Sequence, residues 1–412
     1  MSAARMGAAF GAVLVAVAGL SQFYRSCLGV IAPELTRDLG LTPETLGQAN
    51  GAFFVAMGVM QLPVGLLFDR YGPRRTVTAL TVLAVVAAAW HAVVRSPGEL
   101  IAARLLLGFG CSASFMSLVA LCAVWVPGPR LATTLSRLFA FSQIGIFLAA
   151  TPLALVDAWV GWRWAFAGMA TLTAATCAAF WTVVRDRPPG AAAPAHTESF
   201  GAVLRGAAEV WKTRGLLPIL AVHLFSYAGV ATVLGLWAGP YLAHVHHMDG
   251  TTRGNVLFVM AAAQLVGILV IGPLDRVFDT RKGVVLVAGS LSVALLAALA
   301  LVPALPTAAA VALLVGYCSV TAFSVQIVAH GRTLFPDRLV GRGVTTVNLA
   351  QVLGLSILPL ITGPIVGAFP AEADGGAPEI AYRAAFGVIA ALLAAGLALY
   401  SGSKDAKPSE GR

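Results

Sequence analysis

Residues 65–75 read Gly65-Leu66-Leu67-Phe68-Asp69-Arg70-Tyr71-Gly72-Pro73-Arg74-Arg75, and residues 272–282 read Gly272-Pro273-Leu274-Asp275-Arg276-Val277-Phe278-Asp279-Thr280-Arg281-Lys282. The offset is 207 residues, from Gly65 to Gly272 and from Arg74 to Arg281, with the Asp-Arg pair displaced by one. Each stretch follows one long apolar run and precedes another. The direct reading is a duplicated half. Gly65 and Gly72 permit close helix approach and a tight turn. Asp69, at a helix end, can face the positive N-terminus of a neighbouring helix. Arg70, Arg74 and Arg75 can pair with carboxylates or lipid phosphates.

Working outward, the apolar runs number twelve: about 8–32, 46–68, 76–94, 99–124, 132–156, 164–184, 215–242, 252–274, 283–303, 306–329, 343–368 and 381–401. Each approaches the roughly 20 apolar residues that cross a bilayer as a helix. Of the 412 residues 58% are hydrophobic and 11% charged, with a mean hydropathy of +0.85. That composition excludes a soluble enzyme, a disordered chain and a disulfide scaffold. Continuous apolar runs exclude an outer-membrane barrel, whose strands alternate. The fold class expected is an all-α membrane protein with twelve transmembrane helices. The N-terminal run is too long for a cleaved signal peptide and is read as the first span.

Basic residues set the direction, because they accumulate in cytoplasmic loops. With the N-terminus inside, 19 of the 27 basic residues fall on the cytoplasmic side and five outside. Both termini are therefore expected in the cytoplasm. The net charge of +9 is spread over short loops and forms no patch, so nucleic acid is not an expected partner. Membrane lipids are. The five cysteines all lie in apolar runs and form no CxxC pair, which reads as packing. The halves are expected at 1–184 and 215–401, joined by a cytoplasmic linker at 185–214 and followed by a tail at 402–412. Within the linker, Phe200, Val203, Leu204, Ala207 and Trp211 share one helical face, so a short amphipathic helix on the membrane surface competes with a plain linker.

The chain resembles the major facilitator superfamily. The stretch 65–75 resembles that family's signature loop between spans two and three, with Pro73 in place of a basic residue, and 272–282 is its weaker echo. Arg104-x-x-x-Gly108 resembles the span-four motif, and Gly161-Trp162-Arg163-Trp164 looks like many members before span six. The resemblance implies two pseudo-symmetric six-helix bundles rocking around a central site by alternating access. It also implies a cytoplasmic latch, with gating residues Asp69, Arg70, Gly72, Arg74, Arg75, Asp275, Arg276 and Arg281. A bare positive-inside anchor is the competing account of those arginines.

No carboxylate lies in the middle of any span, yet Arg25 and Arg104 do. Each costs about 2.5–3.5 kcal/mol at mid-membrane on insertion scales, and arginine cannot shed its proton to escape. Carbonyls, water or an anionic ligand are the remaining compensations. The Tyr24-Arg25 pair in span one resembles the organic-anion and organophosphate branches of the family, where an arginine in this region faces the cavity. In span seven, His223, Tyr227 and Trp237 fall on one side of a regular helix, which suits either cavity lining or packing. Gln143, Gln264, Gln326 and Asn348 are further candidates for substrate contact, or for interhelical hydrogen bonds. His244-Val245-His246-His247 is too weak a cluster for a metal, and no cofactor is expected. There is no Walker A run, no hydrolase constellation and no span-five antiporter motif.

The expectation is a non-enzymatic secondary transporter, a monomer in a bacterial inner membrane, carrying a small organic anion. A co-transported proton on His223 or on the substrate is one coupling, and anion exchange another. The competing readings are a multidrug or cationic-compound exporter of the same fold, and a non-transporting sensor.

Overall fold

The structure, a computed structural model, describes residues 7–126, 128–188, 209–336, 339–372 and 375–411. Eleven helices among them are long and apolar enough to cross a membrane, and a twelfth span, Pro43–Val59 with Gln61–Tyr71, is bent by 44°. Pro63 accounts for the bend. It lacks an N–H, and its ring crowds the carbonyl four residues back, at Val59. The first span runs to Leu39, seven residues past the apolar stretch, and stops at Gly40 in the left-handed conformation (φ 62°). An apolar run marks what lipid covers. Caps mark where the helix ends.

The chain divides into two compact units, Met1–Gly40 with Ala52–Thr197, and Leu41–Gly51 with Glu198–Arg412. In the first, the core joins Phe10, Leu14, Val64, Val77, Leu118, Leu121 and Phe180. In the second, it joins Ile219, Val222, Val285, Phe323, Val347, Leu393 and Tyr400. Leu41–Gly51 groups with the second unit because Gly47 lies against the backbone of Pro359 and Gly363. The expected amphipathic stretch at 200–212 lies mostly outside the described residues. At its end, Val210 is buried in the second unit and Trp211 is exposed.

A few helix starts are capped by nearby side chains. Ser96 accepts from the N–H of Glu99, whose carboxylate returns to the N–H of Arg95 at 2.9 Å. Asp249 accepts from the N–H groups of Thr251 and Thr252. These contacts satisfy donors that no helix can pair internally. The Gly161-Trp162-Arg163-Trp164 stretch fastens one end of the first unit. Trp162 Nε1 donates to Asp38 at 2.9 Å, and Arg163 stacks on the Trp162 ring while donating to the Val94 carbonyl.

One close approach recurs in both units. A Cβ on Gly145 would strike the Gly19 carbonyl, so spans five and one touch backbone to backbone. A Cβ on Gly354 would strike the Leu224 carbonyl, which brings spans eleven and seven together in the same way. In lipid, such small-residue contacts drive helix association by packing. Gly145→Val or Gly354→Val should abolish recovery of monodisperse protein in fluorescence-detected size exclusion. Gly168→Ala, where no atom lies within 4 Å of the added carbon, should match or slightly exceed the wild-type melting temperature.

Candidate functional site

In the first unit, span one presents Ser21, Gln22, Tyr24 and Arg25 within little more than a turn. Tyr24 is wholly buried, and its hydroxyl lies 2.8 Å from Thr173 Oγ1 in span six. Its backbone carbonyl accepts from Arg104 Nη1 at 2.7 Å. The Arg104 guanidinium also sits 4.6 Å from the centre of the Phe53 ring and 4.0 Å from Cys27 Sγ. Of the compensations open to a buried arginine, Arg104 uses a carbonyl and an aromatic face. Tyr24 and Arg104, expected as substrate contacts, here tie spans one, four and six together.

Arg25 follows Tyr24 by 100° of helix and is part-exposed, unlike Tyr24. Arg104 bonds the carbonyl of the residue just before Arg25, so the two arginines meet in one region of the unit. Gln143 accepts from Gln22 Nε2, an amide pair spanning helices one and five, set beside the crossing at Gly145. Gln22 is not among the expected contacts, although it is a lone glutamine in an apolar run just as Gln143, Gln264 and Gln326 are.

In the second unit His223 is 1% exposed. Its Nδ1 lies 3.4 Å from Ser226 Oγ, and the Gln351 side chain approaches the ring. Tyr227, Gln264 and Asn348 are buried or part-buried. Trp237 departs from the expected stripe. Its Nε1 donates to Thr362 Oγ1 at 2.8 Å, and its ring packs edge-on to Tyr382. The cause is a π turn at Val233–Trp237, ahead of Pro240, which breaks the 100° progression on which the stripe rested. Gln326 is likewise spent on packing, since its Nε2 donates to the carbonyls of Ile271 and Gly272 in span eight.

The duplicated loops are built differently from the expected Asp69-centred cluster. Asp69, Arg70 and Arg75 are exposed, and among the described residues no hydrogen bond or ion pair reaches Asp69. The carboxylate that engages the loop is Asp186, beyond span six. Its Oδ1 accepts the backbone N–H of Arg74 at 2.6 Å. Arg74 stacks on the Trp181 ring and donates twice to the Trp181 carbonyl, at 2.9 and 2.6 Å. Gly72 joins the cluster at a φ of 82°. In the echo, Asp275 is buried and lies 3.5 Å from Arg281 Nε, while Arg276 is exposed. Asp279 and Asp405 complete it from either side. Asp279, bonded by the Ser409 hydroxyl, is held below the usual carboxylate range. Asp405 is also lowered: burial opposes its charge, and hydrogen bonds from Thr280, Lys282 and Ala406 outweigh it.

Among the described residues no three His, Cys, Asp or Glu side chains converge as a metal ion requires. His244 is turned to the Tyr382 hydroxyl at 2.6 Å, and His246 to Thr307.

Long apolar helices in two units define a multi-pass helical membrane protein. The chain belongs to the Major Facilitator Superfamily, whose family model matches residues 14–239 and 219–411. It is 28% identical over 285 residues to a chloramphenicol resistance protein of Streptomyces lividans, covering 68% of this chain and 69% of that one. It is 26% identical over 139 residues to the "Probable sulfoacetate transporter" of Cupriavidus necator. That match spans about a third of either protein, 34% of this chain and 32% of the relative. Among solved structures, a point mutant of the nucleoside transporter NupG superposes with a TM-score of 0.79 at 12% identity, over 95% of this chain and 98% of that one. At that identity the likeness is one of fold.

The geometry separates the two arginines. Arg104→Ala removes a charge-assisted hydrogen bond to the Tyr24 carbonyl and the guanidinium contact with the Phe53 ring, and should cost about 2 kcal/mol. A melting temperature many degrees below wild type in detergent is the expected result. Arg25→Ala, on a part-exposed side chain, should melt close to wild type.

Proposed function

We propose that this transporter carries a small organic anion, a carboxylate or sulfonate, across a bacterial inner membrane by alternating access, with both termini in the cytoplasm. The observation that carries the reading is the pair of guanidinium groups in spans one and four of a chain with no mid-span carboxylate. Arg104 is committed to the Tyr24 carbonyl. Arg25 is the group assigned to the substrate, because it is part-exposed and shares its region with a second cation. An arginine can grip a carboxylate through two parallel hydrogen bonds. Gln143, His223, Tyr227, Gln264 and Asn348 are assigned to the remaining polar contacts. His223, the buried imidazole of span seven that the Gln351 side chain approaches, is the group assigned to proton coupling. The name of the sulfoacetate relative supports an anionic cargo.

A second reading, drug export, is favoured by the chloramphenicol resistance relative, which matches two thirds of both chains. The missing mid-span carboxylate weighs against a cationic drug.

The test is a thermal-shift and proteoliposome-uptake panel of sulfoacetate, simple carboxylates, phosphate esters, chloramphenicol and cationic dyes. Stabilisation and uptake are expected for a carboxylate or sulfonate. Arg25→Ala should abolish binding. Arg25→Lys, which keeps the charge and loses the fork, should weaken it by about tenfold or more, about 1.4 kcal/mol. Uptake of chloramphenicol or a dye alone, or full affinity in Arg25→Ala, would replace this reading with the second.

A further inference from the structure

In each unit the chain that leaves the last span folds back on the start of the third span of the same half. In the first unit, Asp186 accepts the Arg74 N–H at 2.6 Å, and its carboxylate lies where a Cβ on Gly72 would stand. In the second unit, Asp405 Oδ1 accepts the Lys282 N–H at 2.9 Å. Its other oxygen takes the hydroxyl of Thr280, which in turn caps the Gly283 N–H. The tail is fastened further on. Lys282 Nζ donates to the Ser403 carbonyl at 2.8 Å, and Ser409 gives its N–H and its hydroxyl to Asp279 at 2.9 and 2.6 Å.

The chemistry is the same in both places. The first N–H groups of a helix have no intrahelical acceptor, and the aligned peptides leave partial positive charge there. Flanking basic side chains add to it: Arg74 and Arg75 in one unit, Arg281 and Lys282 in the other. A carboxylate bonded to a first-turn N–H answers both terms at once. Neither carboxylate belongs to the duplicated stretch. Each is delivered by the residues just past the sixth span of its half.

We propose that Asp186 and Asp405 are equivalent positioning residues of the transport cycle. Each fastens the inner end of a half's last span to the inner end of its third. The basic loop between the second and third spans, or between the eighth and ninth, is thereby fixed to its own half. The proposal is independent of which compound is carried.

The experiment is limited trypsin digestion of the full-length protein in proteoliposomes, with cleavage followed at Arg74/Arg75 and at Arg281/Lys282. Asp405→Ala should raise cleavage at 281/282 by about tenfold, the size expected for loss of a charged cap, and leave 74/75 as in wild type. Asp186→Ala should give the reverse pattern. Asp405→Glu and Asp186→Glu should restore protection, since the carboxylate is what the N–H requires. With whichever compound of the uptake panel is carried, anion or drug, the alanine variants should lose turnover at an unchanged half-saturation concentration. Wild-type cleavage in both alanine variants would overturn the proposal. So would simultaneous exposure of both loops by one substitution, which marks general unfolding, or full turnover with a released loop.

Discussion

Arg104 is fully buried in span four, whose one carboxylate, Glu99, lies in the first turn and is bonded to the Arg95 N–H, so the guanidinium has to be solvated by neutral groups. The Tyr24 carbonyl and the Phe53 ring supply that solvation. The arrangement has consequences for the rest of the first unit. It joins span four to span one at a fixed rotation. With span one so turned, the Tyr24 hydroxyl meets Thr173 in span six and its neighbour Arg25 is carried round to a part-exposed position. The arginine assigned to the substrate thus owes its placement to the one that is not.

The duplication is physical as well as sequential. In each unit the first helix of the half crosses the fifth at a glycine whose missing Cβ lets backbone touch backbone, at Gly145 and at Gly354. A polar side chain of the first helix meets a glutamine of the fifth close to that crossing: Gln22 with Gln143, and His223 with Gln351. A carboxylate beyond the last helix caps the third, Asp186 in one unit and Asp405 in the other. Divergence has changed side chains, His for Gln among them, while the points at which helices touch have kept their places.

Much of this was legible in the chain. Apolar runs of about 20 residues can only be spanning helices, because in lipid each backbone group must be satisfied within its own segment. The repeated loops at 65–75 and 272–282 gave the duplication, and the absence of mid-span carboxylates gave the unusual status of Arg25 and Arg104. These features are local or compositional, and a linear pattern carries them.

Tertiary structure decided how those residues are used. Tyr24 and Arg25 are adjacent in sequence and face different surroundings, since each residue turns a helix by 100° and packing alone fixes where the turn begins. Trp237 left its expected face because a π turn interrupts the count between it and His223. Asp69 stands beside the basic cluster in sequence, yet Asp186, more than a hundred residues on, makes the contact. Periodicity reports which residues share a face of one helix. Which face meets which neighbour depends on contacts between distant parts of the chain, and those exist only once the helices have packed.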